Sequence, residues 1–523
     1  MLAWQIQAQP NQYQVYEQMN KFGQFLFALN GGYVDTVNIT QLTEEAIRKV
    51  LSELDPHSFY ISAKDAQATN EPLVGNFDGV GIEFNMLNDT LLVVRVVAGG
   101  PSQKIGVLAG DRILTVDGKS IAGEKMKNTD IVKLLRGPKG TQVNIGVLRR
   151  GVSELLEFNI TRDKIPLYSI SASFWTTTPG VAYINISHFA KTTHDEFKDA
   201  LKKLGKKPEG LILDLRSNSG GILETAIAIV DEFLPKDALI VYTEGRIIPR
   251  TDALATDTLN LFEKGKLVVL IDEQSASASE IVAGAIQDWD RGLLVGRRSF
   301  GKGLVQNQSE LPDGSLIRIT IARYHTPTGR VIQRDYEKGK SKEYYAAHNK
   351  RYENGEVYSA DSISFSDSLK VLTLKNRRAV YGGGGIMPDI FTPLDTSHHT
   401  VYHSKMVRMG IVHQFALRYT DKNRKDLMQK YADLKRYNKN FVFTDADFEA
   451  LIAFAEEEKL PKNEEDIAKS KSDICVQMKG LIAQDLFGIS AYYEVVYPLL
   501  DDNYQKALEI MKDWKNYEKK LQK

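Results

Sequence analysis

Three loops of this chain bring together residue types able to run nucleophilic catalysis. "SNSGG" (Ser217 to Gly221) is glycine-rich, "EQSASAS" (Glu273 to Ser279) alternates serines with small residues, and "RRSFGKG" (Arg297 to Gly303) carries a lysine. Each follows an apolar run that reads as a strand: "GLILDL", "KLVVLID" and "LLVG". A serine hydroxyl attacks only once a base takes its proton. No histidine lies in or beside these loops, so a Ser-His-Asp arrangement lacks its base. Lysine serves instead where a dry site holds its amine neutral. Ser277, at the head of the helical stretch "SEIVAGAIQDWD", is the candidate nucleophile and Lys302 the candidate base. Gln306, four residues on, is placed to hold the amine through its amide oxygen. A helix N-terminus leaves backbone donors free for a developing oxyanion. The amide of Ala278, with one from Gly220 or Gly221, is the candidate pair.

These residues must be delivered to one place. Between residues 165 and 330 strands and helices alternate, from "GVAYINIS" through "THDEFKDALKKLGKK", "GLILDLRS", "ILETAIAIVDEFL", "KLVVLIDE" and "SEIVAGAIQDWD" to "GLLVGRRS". That alternation predicts an α/β core with a largely parallel sheet, whose chemistry gathers at the carboxyl ends of the strands. A helix after Ser277 travels roughly 20 Å. The following strand returns roughly 20 Å, which brings Lys302 back beside the serines.

The flanking text has other periods. Residues 12–70 read as helices, with Thr43 as an N-cap and Pro56 as a stop. Residues 77–163 form short β-rich runs separated by "ND", "DG" and "RG" turns and interrupted by one helix, "NTDIVKLLRG". Residues 335–375 are charged, tyrosine-rich and aperiodic, and the chain beyond 396 is helical and charged. The expected fold class is multidomain α/β. An N-terminal helical region (1–76) precedes a β-rich module (77–163), an α/β core (164–395, with an insertion at about 335–375) and a C-terminal helical region (396–523).

Composition narrows the function classes. Lysine plus arginine and aspartate plus glutamate number 67 each, so charge points to neither nucleic acid nor an anionic membrane. Cys475 is the single cysteine, which excludes disulfides and cysteine-rich metal sites. "GRRSFGK" (Gly296 to Lys302) has phosphate-loop spacing, but Gly303 stands where a magnesium-binding serine or threonine belongs. The histidines of "HNKRYENGE" and "HHTVYH" read as solvated side chains, and no metal or organic cofactor is expected. "MLAWQIQAQPNQ" has too few apolar residues for a signal h-region, although a trimmed remnant of one would look like this.

"SASASEIVAGAIQD", "GKGLVQ", "LDLRSNSGG", "RYHTPTGRVIQ" and "GGGGIMPD", with an early "LDPHSFYIS", together resemble the carboxy-terminal processing (tail-specific) proteases over roughly residues 40–395. The resemblance implies a serine endopeptidase without a cofactor, with Ser277 as nucleophile, Lys302 as general base and Gln306 orienting the lysine. It puts the oxyanion donors on Ala278 and on Gly220 or Gly221, with Ser275 and Ser279 in support. It also makes the module at 77–163 similar to a PDZ domain, which would capture a substrate's free C-terminus. The amides of Val80, Gly81 and Ile82 in "DGVGIEF" would hold the carboxylate, and Leu134 and Leu135 would line the groove. Protein or peptide substrates, a periplasmic or envelope location and compatibility with a homo-oligomer follow from the same resemblance. The alternative is a non-catalytic PDZ-containing scaffold.

Overall fold

The computed structural model describes residues 12–257, 260–396 and 400–522, which divide into two compact units. The first comprises the described residues up to Gln67, with Gln306–Thr320 and Tyr336–Ala346. The second comprises Ala68–Val305, Ile321–Asp335 and the chain from Ala347 onward. The reading of "MLAWQIQAQPNQ" falls, save for Gln12, outside the described residues, as do His398 and His399.

In the first unit, helices Gln12–Gly32 and Ile39–Ser52 lead to a short strand, Phe59–Ile61, paired antiparallel with residues 316–318. Asn38, not Thr43, caps the second helix, its side chain accepting from the Gln41 amide at 3.1 Å. Asn is the better cap, and Thr43 becomes an interior residue. The helix ends at Ser52, before Pro56. Asp55 of "LDPHSFYIS" then organises the turn by accepting from the amides of His57 and Ser58 and the hydroxyls of Ser58 and Thr320.

The second unit holds a six-stranded sheet in the order β1 (Ile170–Trp175), β2 (Val181–Ile186), β3 (Gly210–Asp214), β4 (Lys266–Ile271), β5 (Leu293–Gly296) and β6 (Ile390–Phe391). β1 pairs antiparallel with β2, and every later pair is parallel. The central strands are apolar at successive positions because both faces are covered. Leu211, Leu213, Leu267 and Val269 face helices α1 (Thr193–Lys203), α2 (Leu223–Asp231) and α3 (Ala278–Asp288). Tyr183, Ile212, Val268, Leu270 and Val295 face the other way.

What covers that second face comes from the far end of the chain. After α4 (Ile489–Leu500), helix α5 (Asp502–Lys512) lays Tyr504, Ala507, Leu508 and Met511 onto it. The helical region beyond 396 is therefore not a separate appendage: its last part completes the α/β core. Each fully buried aliphatic side chain contributes roughly 1.5–3 kcal/mol, so this face is a large share of the core's stability.

The β-rich module forms an antiparallel sheet in the order Ile82–Leu87, Thr90–Val96, Arg112–Val116, Gln142–Leu148 and Leu156–Thr161, with helix Asn128–Leu135. Its core includes Leu91, Ile113, Ile131, Val143 and Ile145. The helix Ile411–Lys430 braces this sheet. Leu417 packs with Leu87 and Leu92, His413 Nε2 bonds the Asn85 amide at 3.1 Å, and Arg112 pairs with Asp421 at 2.6 Å. Asn85 and Leu87 share one face of their strand, while Ile82, Phe84 and Met86 turn toward the module's core.

The stretch 335–375, read as aperiodic, contains a 13-residue helix, Ser341–Glu353. Four of its five tyrosines and alanines (Tyr344, Tyr345, Ala346 and Ala347) are consecutive and only Tyr352 follows, so the helical spacing is weak in the sequence.

Candidate active site

The loops after β3, β4 and β5 meet at the carboxyl ends of the parallel strands. Ala276 N–H donates to Asn218 O at 3.0 Å, and Phe300 N–H donates to Ser275 O at 2.9 Å. The loop after β4 turns on Asp272, whose carboxylate accepts from the amides of Ser217, Gln274 and Ser275. Burial pushes that carboxyl up, against the pull of the Ser217 amide.

The three serines have separate fates. Ser275 and Ser279 are fully buried, and their hydroxyls donate to Leu215 O at 2.8 Å and Asn218 O at 2.9 Å. Ser277 is the one that is part-exposed. It adopts φ 56°, ψ −112° at the head of α3, a backbone conformation an L-residue rarely takes. Such strain persists only where the surroundings over-determine it. Here they do. Every residue of α3 is buried, and the small residues of "SASASEIVAGAIQD" allow that close fit: a Cβ on Gly284 would meet Thr326 Cγ2 at 2.8 Å.

Glu280, one turn into α3, ties the serine to the lysine loop. It is fully buried and accepts four hydrogen bonds. Oε2 takes the amides of Ser277 at 2.8 Å and Lys302 at 2.9 Å. Oε1 takes the Ser299 hydroxyl at 2.5 Å and the Gly301 amide at 2.7 Å. Burial pushes its carboxyl up while these donors pull it down. From the opposite side the buried Tyr324 hydroxyl lies 3.1 Å from Ser277 O and 2.5 Å from Lys302 O. One carboxylate thus holds both amides, and one phenol faces both carbonyls. Ser277 and Lys302, 25 positions apart, are adjacent backbone segments here. Neither Glu280 nor Tyr324 was singled out from sequence, although both stand inside quoted motifs.

The oxyanion candidates separate. The Gly220 amide already donates to Asn218 Oδ1 at 2.9 Å, so this glycine is corrected from donor to spacer. A Cβ there would lie 2.8 Å from Ser277 Cβ and 3.0 Å from Ala278 N, which is why the position needs glycine. Gly221 forms a parallel bridge with Phe189, and a Cβ on it would meet Phe189 O at 2.1 Å. Among the described hydrogen bonds the amides of Gly221 and Ala278 have no acceptor. Gln306 lies on strand Leu304–Glu310, at the start of a segment of the first unit, and its Nε2 is buried without a partner among the described residues.

The phosphate-loop reading fails on this geometry. The amides of Gly301 and Lys302 are taken by Glu280, and a strand follows where a helix is required. His348 of "HNKRYENGE" is buried, not solvated. Its ring lies 4.8 Å from that of Phe300, and burial, with Arg351 and Arg334, pushes its pKa down to about 4. His403 is likewise buried, with Nε2 bonded to Gln477 at 2.9 Å. In the same region Arg351 donates to the carbonyls of Ser299 and Arg298 at 2.9 and 2.6 Å, so the insertion supports the lysine loop.

In the β-rich module, Val80 and Gly81 use their carbonyls internally, accepting from Ser102 and Val97. Their amides donate to nothing among the described residues. Ile82 begins a strand at the sheet's edge, paired only with Thr90–Val96 among the described strands. Leu134 is half-buried against the module's core, whereas Leu135 is fully part of that core.

Residues 180–339 match peptidase family S41, residues 92–149 the PDZ domain, and residues 402–488 a family of unknown function. A carboxy-terminal-processing protease of Bartonella bacilliformis is 38% identical over 331 residues, covering 62% of this chain and 74% of that protein. Carboxy-terminal processing protease CtpB of Bacillus subtilis is 35% identical over 320 residues, covering 60% and 66%. The solved photosystem II D1 C-terminal processing protease aligns at 30% identity over 59% of this chain and 88% of that one, with a TM-score of 0.33. The chain belongs to the carboxy-terminal-processing proteases, serine-type peptidases of family S41, and carries a PDZ domain.

Proposed function

We propose that the protein cuts polypeptides near their C-termini with a Ser277–Lys302 dyad, the PDZ domain holding the substrate's terminal carboxylate. The observation that carries this is the shared clamp: Glu280 and Tyr324 bind the backbones of Ser277 and Lys302 together, while Ser275 and Ser279 spend their hydroxyls on backbone carbonyls.

The neutral Lys302 amine takes the Ser277 hydroxyl proton as Oγ attacks the scissile carbonyl. Negative charge forms on the carbonyl oxygen and is met by the amides of Gly221 and Ala278. The C–N bond then breaks, and the lysine returns its proton to the leaving amine. Water, deprotonated by the same amine, attacks the ester and frees Ser277. Gln306 orients the lysine in this scheme. In the PDZ domain the amides of Val80 and Gly81 receive the substrate carboxylate, and the edge strand from Ile82 adds the substrate's last residues to the sheet beside Leu134. We also propose a periplasmic or envelope location, which fractionation of expressing cells tests.

The test is hydrolysis of an unfolded protein and of matched peptides with free or amidated C-termini. Ser277→Ala should fold and lose nearly all turnover, and Lys302→Arg should not restore it, since guanidinium stays protonated. Turnover surviving in Ser277→Ala overturns the nucleophile. Equal cleavage of free and amidated peptides overturns C-terminal capture.

A further inference from the structure

We propose that Asp501, at the junction of α4 and α5, is a positioning residue that sets the geometry of the oxyanion loop; the inference rests on the assignment of the Gly221 amide as a donor.

The loop after β3 begins with a side chain folded back on its own strand. Arg216 sends Nε to Asp214 Oδ1 at 3.0 Å and Nη2 to Asp214 Oδ2 at 2.6 Å. Asp214 is itself held by the Tyr183 hydroxyl at 2.7 Å. The remaining arm, Nη1, reaches Asp501 Oδ1 and Oδ2 at 2.8 and 2.9 Å. Arg216 is thus gripped from both ends in a nearly closed site: side-chain exposures are 11% for Arg216, 1% for Asp214 and 18% for Asp501. The Tyr497 ring centroid lies 5.3 Å from its guanidinium carbon.

From Arg216 the loop runs without slack to the site. Ser217 takes φ 55° and donates its amide to Asp272. Asn218 donates its side-chain amide to Ile186 O at 2.8 Å, accepts from the Gly220 amide, and receives the Ala276 amide and Ser279 hydroxyl on its carbonyl. Gly220 lies against Ser277, and Gly221 follows. The sheet holds this loop through Asp272, just after β4, and through Ile186 at the end of β2. The C-terminal region holds it through Asp501. Removing that acceptor leaves a buried guanidinium arm unpaired, and it can regain a partner only by moving the start of the loop. A shift of about 1 Å in the amide facing an oxyanion is enough to lower turnover strongly.

Asp501 also caps α5 by accepting from the Tyr504 amide at 2.8 Å, so the test must keep the cap. Asp501→Ser retains a good N-cap while withdrawing the acceptors that meet Arg216, and Asp501→Asn retains the cap and one acceptor while removing the charge. Parent and variants are titrated with a fluorophosphonate that labels Ser277. Turnover per labelled site, KM, and affinity for a tetrahedral peptide boronate are then measured. The expected result is a loss of about tenfold or more in kcat per labelled site, with a comparable loss of boronate affinity and KM within about twofold. Asp501→Glu should recover part of the loss.

Unchanged kcat per labelled site in folded Asp501→Ser overturns the proposal, as does a rise in KM at constant kcat. A purely structural role would show as fewer labelled sites of full activity, and that too overturns it. Failure of the underlying site assignment is distinguishable, because turnover would then survive in Ser277→Ala.

Discussion

Replacing Ser277 by glycine should make the protein more stable than replacing it by alanine, although both variants should lack turnover. Ser277 sits at φ 56°, ψ −112°, and alanine inherits that conformation with its Cβ. Holding an L-residue in such a region costs roughly 1–3 kcal/mol. Glycine escapes the steric cost but loses roughly 0.5–1 kcal/mol through its greater freedom when unfolded. Little packing is lost, because Ser277 is part-exposed. The balance favours Ser277→Gly over Ser277→Ala by about 1–2 kcal/mol. Urea unfolding followed by tryptophan fluorescence measures it, since Trp289 closes α3 and donates its indole N–H to Leu239 O at 2.8 Å. Ala283→Gly, in the middle of α3, is the control and should lose about 1 kcal/mol or more. Equal stability of the two Ser277 variants, or a less stable glycine variant, refutes the claim that strain is stored at Ser277.

Glu280→Gln should reduce hydrolysis at least about tenfold and stability by about 2 kcal/mol or more, because either amide orientation turns an NH2 toward a backbone N–H that now donates to a carboxylate oxygen. Full activity in that variant sinks the clamp. Tyr324→Phe removes the hydroxyl facing two carbonyls and should cost about 1–2 kcal/mol in unfolding free energy, together with a measurable fall in kcat. Burial pushes the Asp485 carboxyl up to about 6 despite His413, Arg424, Arg95 and Thr420. The folded chain therefore keeps a proton that the unfolded chain releases near pH 4. Stability should fall by about 3 kcal/mol as pH rises from about 4 to about 6, and Asp485→Asn should flatten that slope in denaturant titrations at each pH.

The alternation of strands and helices was legible because β2 to β5 are apolar on both faces and their helices begin where the sequence punctuates them. The serine cluster and the lysine were legible for the same reason: a strand's end fixes where the next loop starts. Gly220 was misassigned because an Asx turn made by Asn218 depends on side-chain direction, which no spacing reveals. Glu280 stood inside a quoted motif, but as one acidic residue in the first turn of a helix it looks like an ordinary helix-start charge. Its four donors come from residues 19 to 22 positions later as well as from Ser277. Arg216 and Asp501 are separated by 285 positions, and nothing local to either announces the other. The helix Ser341–Glu353 escaped because four of its five tyrosines and alanines are bunched in one run.

The second face of the core sheet is closed by Tyr504, Ala507, Leu508 and Met511. During synthesis, the strand that leads to Ser277 leaves the ribosome more than two hundred residues before the helix that covers it. Until α5 docks, that face offers a row of buried-type side chains to water, and the Arg216 arm has no Asp501 to meet. The sheet cannot reach its final packing until Asp502–Lys512 has been made. A nascent chain of this protease therefore carries one uncovered face of its core sheet until that helix has been made.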